Sequence, residues 1–333
     1  MRSLPVRLTA SLVTAGLLVV GCGTTRDDEE TGTATETGPI QDLQIMVPNS
    51  PGSGYDTTAR TVAKAMEDAD LAQAIEVFNL EGAGGTVGLQ RLVNEEGNED
   101  LLMQMGLGVV GATYTNQSEA TLEETTPVAG LIEEAEVVVV PGGSQYESFD
   151  DLMAAWKADP GSLPVGGGSN PGGPDHLTPM LLADAVGIDP TTVNYVAYDG
   201  GGELLAGLLG SKIAFATTGA GEVAEQAKAG EVKILAVTSE EPVPDVDAPT
   251  LQDEGVDLVF TNWRGIVAAP GISDERADQL VDLLSSLHDT DEWQQALEDN
   301  GWTDAFMTGD EFGTFIQDES ERVQKVLADL GLA

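Results

Sequence analysis

Cysteine occurs once in 333 residues, as Cys22, so no disulfide can form within the chain and its core must hold by apolar burial. Basic residues are also scarce: 14 Lys and Arg stand against 57 Asp and Glu, a net charge of −43. Without a basic footprint nothing can displace counterions from a phosphate backbone, which excludes nucleic acid as a partner. Anionic lipid head groups would repel the same surface. Histidine appears only at 176 and 288, too few for a histidine-rich metal site. The phosphate-binding Gly-Lys-Ser/Thr and the Gly-x-Ser-x-Gly elbow are both missing. Gly82-Ala83-Gly84-Gly85-Thr86-Val87 breaks the dinucleotide fingerprint at its third glycine. These absences imply no cofactor and no metal, and they argue for a binder rather than an enzyme.

Long apolar runs are missing as well, apart from Leu8–Val20, which is too short to span a bilayer. Arg2 and Arg7 precede it and Val19-Val20-Gly21-Cys22 closes it, the layout of a secretory signal. Ending in cysteine, it resembles a bacterial lipoprotein signal, whose cysteine thiol is lipidated and becomes the first residue of the mature chain. A chance cysteine in an ordinary signal is the alternative. On the lipoprotein reading, residues 1–21 are a signal peptide, Cys22 is the lipidation site and residues 22–42 are a disordered acidic tether. The protein is then extracytoplasmic, periplasmic or on the outer face, and contacts the cell membrane only through its lipid anchor.

From Leu43 the pattern is one of short apolar runs alternating with helical periodicity. Leu43–Val47, Ile75–Leu80, Leu101–Met105, Val137–Val140, Tyr195–Tyr198, Ile213–Thr217, Ile234–Thr238 and Leu258–Phe260 read as buried strands. Helical stretches lie between them, and Asp274–Leu287, Glu292–Glu298 and Glu311–Leu330 form a helical C-terminal part around a short strand near Thr303–Met307. Such alternation predicts an α/β protein with parallel sheets covered on both faces. The chain is long enough for two domains, and its last helices suit a return to brace the first.

Three strand-to-helix turns are rich in glycine: Val47–Asp56, Glu81–Thr86 and Gly166–His176. Glycine permits close backbone approach, and the helix behind each turn offers free N–H groups and a positive dipole end. These turns fall at the carboxyl ends of strands, where ligands gather in α/β sheets. One such loop is most simply a tight turn; three in one chain point to an anion-binding cleft.

The residues of these loops also carry a family resemblance. Val47-Pro48 through Tyr55-Asp56 with Thr58-Ala59-Arg60, then Gly82–Gly88, Lys157–Gly161, Asp175-His176, Val193–Val196 and Gly200–Glu203 are similar, in order, to extracytoplasmic receptors of the tripartite tricarboxylate transporter family (TctC, Bug-type). Lys228–Gly230, Leu235–Ser239, Asn262–Gly265 and Ala269–Gly271 extend the match, which covers residues 43 to 332. The resemblance implies a two-lobed periplasmic-binding-protein fold, type II-like, with two inter-domain crossovers. Residues 43–139 and 265–333 would form lobe 1 and residues 140–264 lobe 2, hinged near Val139–Gly142 and Asn262–Gly265. It implies a monomeric receptor that closes over a small di- or tricarboxylate, citrate-like by the family name, and hands it to large and small membrane subunits. The same closure would serve a receptor that signals to a membrane kinase.

Carried onto this chain, the family's first carboxylate loop is Gly52–Asp56, with Ser53 as hydroxyl donor and Gly54 and Tyr55 as N–H donors. The second is Gly168, Ser169 and Asn170, with His176 nearby; Thr217, Thr218 and Trp263 border the same cleft. Several have plainer roles open to them. Asp56 can pair with Arg60 one turn on or cap its helix. His176 can pack at a helix start, Trp263 can be core, and Arg264 can be either a carboxylate clamp or a salt bridge between lobes.

Overall fold

A computed structural model describes residues 39–198 and 200–333. The signal, Cys22 and most of the tether predicted from the sequence lie outside the described residues. Among the described residues no helix is long and apolar enough to cross a membrane.

In chain order the elements begin with β1 (Ile40–Gln41), β2 (Gln44–Val47), α1 (Gly54–Asp68), β3 (Ala72–Gln73), β4 (Glu76–Asn79), α2 (Thr86–Asn94), β5 (Leu101–Gly106) and α3 (Leu107–Thr115). Next come β6 (Thr126–Pro141), α4 (Phe149–Ala158), β7 (Val165–Gly167), α5 (Pro174–Ala185), β8 (Tyr195–Ala197), α6 (Gly201–Leu209), β9 (Phe215–Gly219), α7 (Ala220–Lys228) and β10 (Val232–Val237). The chain closes with β11 (Thr261–Ala268), α8 (Asp274–His288), α9 (Asp291–Asn300), β12 (Thr303–Thr308) and α10 (Gly309–Asp329). Many of the acids sit in first helical turns, where a carboxylate complements the helix dipole. Ser148, Ser273 and Thr290 cap α4, α8 and α9, and each cap is followed by two acidic residues.

β6 organises the molecule. Its first half, up to Ala135, pairs with β11 and β12. Its second half, from Glu136, pairs with β9 and β10. The strand order is β4-β2-β5-β11-β6-β9-β7-β8, so one 16-residue strand carries two sheet halves. The outer strands are parallel, as the alternation predicts. The pairs around β6 and β11 are antiparallel, which the alternation does not predict. The sheet is therefore mixed, because β11 returns from the second half without a crossover helix.

Two further expectations are corrected. Val137–Val140 is the end of a strand that starts at Thr126, and its interior carries Glu133, Glu134 and Glu136, which break the apolar signal. Leu258–Phe260 is not a strand: Val259 is exposed, and the ladder starts one residue later, at Thr261. Phe260 instead donates its N–H to the Thr238 carbonyl and so ends the excursion into the second half.

The cores divide in the same way. One apolar cluster unites β2, β5, the first half of β6 and β11 with α1, α2, α8, α9 and α10, from Leu43 to Leu327. In the second half Val138 and Val140 face a cluster around Trp156, Leu182 and Phe215, while Val137 and Val139 face Leu204, Leu208 and Val223. That split is the period-two alternation of a strand buried on both faces.

Candidate functional site

The first glycine loop ends at Ser53, which caps α1: its Oγ accepts the Asp56 N–H at 3.3 Å. A hydroxyl used as an acceptor keeps its hydrogen free to donate outward. Gly54 and Tyr55 contribute first-turn amides, which lack intrahelical acceptors. Asp56 is buried and holds the loop together. Its carboxylate accepts the Gly52 N–H at 2.8 Å and the Asn79 amide at 2.9 Å, and it pairs with Arg60 at 2.9 Å. Burial works against ionisation here, but the Arg60 guanidinium with the Gly52 and Asn79 donors outweighs it and holds the carboxyl below its ordinary range. Asp56 thus fills the structural role open to it, through Arg60. Tyr55 is buried too; its hydroxyl accepts the Gly108 N–H at 3.0 Å, and burial pushes it up to about 12 against the opposing charge of Arg264.

The third loop repeats this design. Asp175 reaches back from the first turn of α5 and accepts the Gly168 N–H at 2.6 Å, while its own N–H bonds Ser169 Oγ at 3.1 Å. The Gly168 amide, expected to hold ligand, is therefore already taken, whereas the Ser169 hydroxyl hydrogen is free. Tyr195 donates to the Ser169 carbonyl at 2.8 Å, and Asn170 is exposed, its carbonyl accepting the Gly173 N–H. His176 is buried, with Nδ1 accepting the Gly172 N–H at 3.2 Å and its ring set edge-on to Tyr195. Burial lowers its pKa to about 4, so at neutral pH it is an uncharged spacer with its proton on Nε2.

Thr217, Thr218 and Trp263 all have partners within the protein. Thr217 and Thr218 are fully buried, and both hydroxyls are taken by protein acceptors, the Asp175 carbonyl at 2.7 Å and Glu222 Oε2 at 2.7 Å. The Trp263 ring lies in the first core between Phe312 and Phe315, its N–H bonded to Glu319 on α10 at 2.9 Å. The Trp263 carbonyl lies against Gly106 at the end of β5, which also packs on the Tyr55 ring.

The two loops nonetheless meet, through α3. Gly108 packs between the Tyr55 hydroxyl and Pro174, and Gly111 lies against the Gly172 carbonyl so closely that a Cβ there would overlap it. Gly172 has φ of 93°, a left-handed conformation that glycine adopts without strain. Gly168 in turn packs on Gly200 and Gly201 at the start of α6. The second glycine loop buttresses the first: Gly85 abuts Pro48 and Val109.

Beneath the junction lie charged residues, of which only Arg264 and Asp175 were singled out from the sequence. Arg264 is buried and forms a 2.6 Å ion pair with Glu134, two residues before β6 changes partners at Glu136. The other Glu134 oxygen accepts the Gly221 N–H at 3.2 Å from the first turn of α7. Arg264 thus forms a salt bridge within the β6–β11 ladder and not between the two halves, with its guanidinium against Gly54. Glu136 is fully buried and neither carboxylate oxygen has a partner. Burial first, then the charges of Asp175, Glu134 and Glu222, push it well above its ordinary range. Burial, then Glu222, raises Asp175 to about 7. Glu222 is raised in the same direction, but it stays open to solvent, so dehydration acts on it less than on Glu136. The one signal for this cluster was Glu133-Glu134-Ala135-Glu136 running directly into four valines.

The comparisons with known proteins identify the family and the fold. The family described as "Tripartite tricarboxylate transporter family receptor" matches residues 58–332. An Agrobacterium vitis protein of the TAR-I ttuE–ttuC' intergenic region is 32% identical over 243 residues, 71% of this chain and 68% of its own. Among solved structures, an R. palustris protein with adipate superposes with a TM-score of 0.78 at 20% identity, covering 88% of this chain and 98% of its own. MatC from Rhodopseudomonas palustris with bound malate gives 0.74 at 22% identity, covering 87% and 99%. These structural likenesses establish the fold.

Proposed function

Since the chain belongs to the tripartite tricarboxylate transporter receptor family, whose members are periplasmic solute-binding proteins and not enzymes, we propose that it captures a small dicarboxylate between two lobes and delivers it to the transporter's large and small membrane subunits. The observation that carries this reading is the approach, through α3, of two loops from the two sheet halves, in each of which a serine hydroxyl accepts a first-turn helix amide. Ser53 and Ser169 each accept a backbone N–H and so present a hydroxyl hydrogen outward. With the Gly54 and Tyr55 amides and Asn170, they offer a carboxylate neutral donors and a helix-dipole end.

The lobes in this reading follow the cores, close to residues 43–139 with 265–333 and residues 140–264. We place the hinges where the strands change partners, at Ala135–Glu136 and Leu258–Thr261, a few residues before the crossovers read from the sequence. Malate and adipate, present in the two R. palustris structures, suggest a dicarboxylate. The acids beneath the loops argue against a fully ionised tricarboxylate such as citrate, since Arg264 is already engaged by Glu134. A monomer tethered through lipidated Cys22 completes the proposal.

The test is a thermal-shift panel of citrate, malate and adipate, followed by calorimetry. A ligand at a hundred times its Kd stabilises the folded state by about 2.7 kcal/mol. Ser53→Ala with Ser169→Ala should weaken binding at least tenfold while the ligand-free protein keeps its fold. A panel in which no organic acid moves the transition would overturn the proposal.

A further inference from the structure

Glu136 sits at the residue where β6 leaves one sheet half for the other, opposite Gly219 of β9. Its backbone is fully engaged with Thr238, whereas its side chain is completely buried with both oxygens unpartnered. An ionised carboxylate in that state is costly enough that such a group takes up a proton instead. The charged and titratable groups around it come from every neighbouring element: Glu134 of β6, Asp175 and His176 of α5, Tyr195 of β8, Glu222 of α7 and Arg264 of β11. Arg264 offsets the acids only in part, since it is bound to Glu134, and the ring of His176 is neutral, so burial and the neighbouring carboxyls prevail at Glu136. Among the described residues no three metal-ligating side chains are arranged to hold a metal ion, which leaves a proton as the occupant.

The cluster is wired to the cleft. Asp175 accepts from Gly168 and donates its N–H to Ser169, so the carboxyl next to Glu136 also holds the loop meant for ligand. Glu222 is held by Thr218, and its carboxylate lies over Gly201 beside that loop. An anion arriving at Ser169 adds negative charge to a group of carboxyls that already repel one another, and each of them then binds a proton more tightly.

We propose that Glu136, with Asp175 and Glu222, forms a proton-binding site coupled to the cleft, so that an anionic ligand is captured together with a proton drawn from solvent. This coupling rests on the carboxylate-receptor reading, but the site itself can be tested without ligand. A carboxyl that binds its proton more tightly in the folded than in the unfolded state makes stability fall as pH rises, from the unfolded pKa near 4 up to the folded value. The ligand-free full chain should therefore lose stability between pH 5 and pH 8, and Glu136→Gln should flatten that decline. Calorimetry of wild type with adipate and with malate in phosphate and in Tris should then show uptake of up to one proton per ligand. Affinity should weaken by up to about tenfold per pH unit over the range in which the proton is lost.

A flat stability profile in wild type overturns the proton site. Equal binding enthalpies in the two buffers, corrected for dilution, overturn the coupling. If neither acid binds while the decline in stability is present, the carboxylate reading fails and the proton site stands. Should Glu136→Gln not fold, the two wild-type measurements still decide both points.

Discussion

Gly111→Ala tests the seam between α3 and the third loop. A Cβ at 111 would lie 2.5 Å from the carbonyl carbon of Gly172 and 2.9 Å from its Cα, and closer still to its carbonyl oxygen. These are backbone atoms and cannot rotate aside. Bringing the carbonyl carbon to an ordinary 3.4 Å contact requires the two sides to part by about 1 Å, and clearing the nearer oxygen requires more. Overpacking of this kind costs about 1–3 kcal/mol. Because the clash joins elements of two separate cores, the cost falls on the closed arrangement, and ligand affinity should weaken by about 5- to 150-fold.

The sign makes this test discriminating. Within α3 itself, glycine to alanine favours the helix by about 0.5–1 kcal/mol. If residue 111 did not meet the loop, the substitution would raise the melting temperature and leave affinity alone. Gly143→Ala, at a residue with nothing within 4 Å, is the matched control. Calorimetry with whichever dicarboxylate the panel shows to bind, with solution scattering to follow the radius of gyration, reads both effects. Wild-type affinity together with a raised melting temperature would refute the seam and the closed arrangement with it.

Three other outcomes are expected. Cys22→Ala should move the protein from the membrane fraction to the soluble one without changing ligand affinity, as fractionation and calorimetry would show; a wild type that is already soluble would contradict the anchor. Gly54→Ala brings a Cβ to 2.5 Å from the Arg264 guanidinium and should weaken binding at least tenfold, whereas Lys212→Ala, at an exposed residue, should change it less than twofold. Asp56→Asn should destabilise the fold by about 1–3 kcal/mol at pH 7, because it removes a charged acceptor from Arg60, Gly52 and Asn79, and the loss should fade as pH falls through the lowered pKa of the wild-type carboxyl. Urea midpoints across pH 2 to 7 would show it.

Strands dominated by apolar residues, such as Leu101–Met105 with Gln104 as its one polar member, were legible because burial on both faces favours one composition. β11 and the start of β6 were not, because Asn262, Arg264, Glu133, Glu134 and Glu136 interrupt them. Those charges are tolerated because the strands are neighbours: Arg264 finds Glu134 across the ladder, a pairing that local pattern cannot reveal. The loops were legible for a different reason. Gly52, Gly172 and Gly200 have φ values of 82°, 93° and 97°, which restrict the residue to glycine wherever the chain turns so sharply. What each loop does with its amides depends on partners far along the chain or on side-chain direction. Hence Asp175 as the acceptor for Gly168, and the protein acceptors of the Thr217 and Thr218 hydroxyls, appear only in three dimensions.

A chain this acidic can bind an anion only if its own carboxylates are removed from the competition, and the two loops achieve this differently. Each uses an aspartate to accept a glycine amide, Asp56 for Gly52 and Asp175 for Gly168. Asp56 is accompanied by Arg60 and Asn79 and stays ionised, so the first loop is held by a fixed, compensated charge. Asp175 has no cation, only N–H donors, and stands beside Glu136 and Glu222; its pKa rises to about 7. The first loop is therefore the same at every physiological pH, while the charge under the second changes within that range. A neutral amide or hydroxyl binds a carboxylate whatever the pH, so the pH response of capture belongs to the acids below the second loop and not to the donors. The scarcity of lysine and arginine, which excluded other functions at the outset, is thus also what makes protons the available counter-charge at this site.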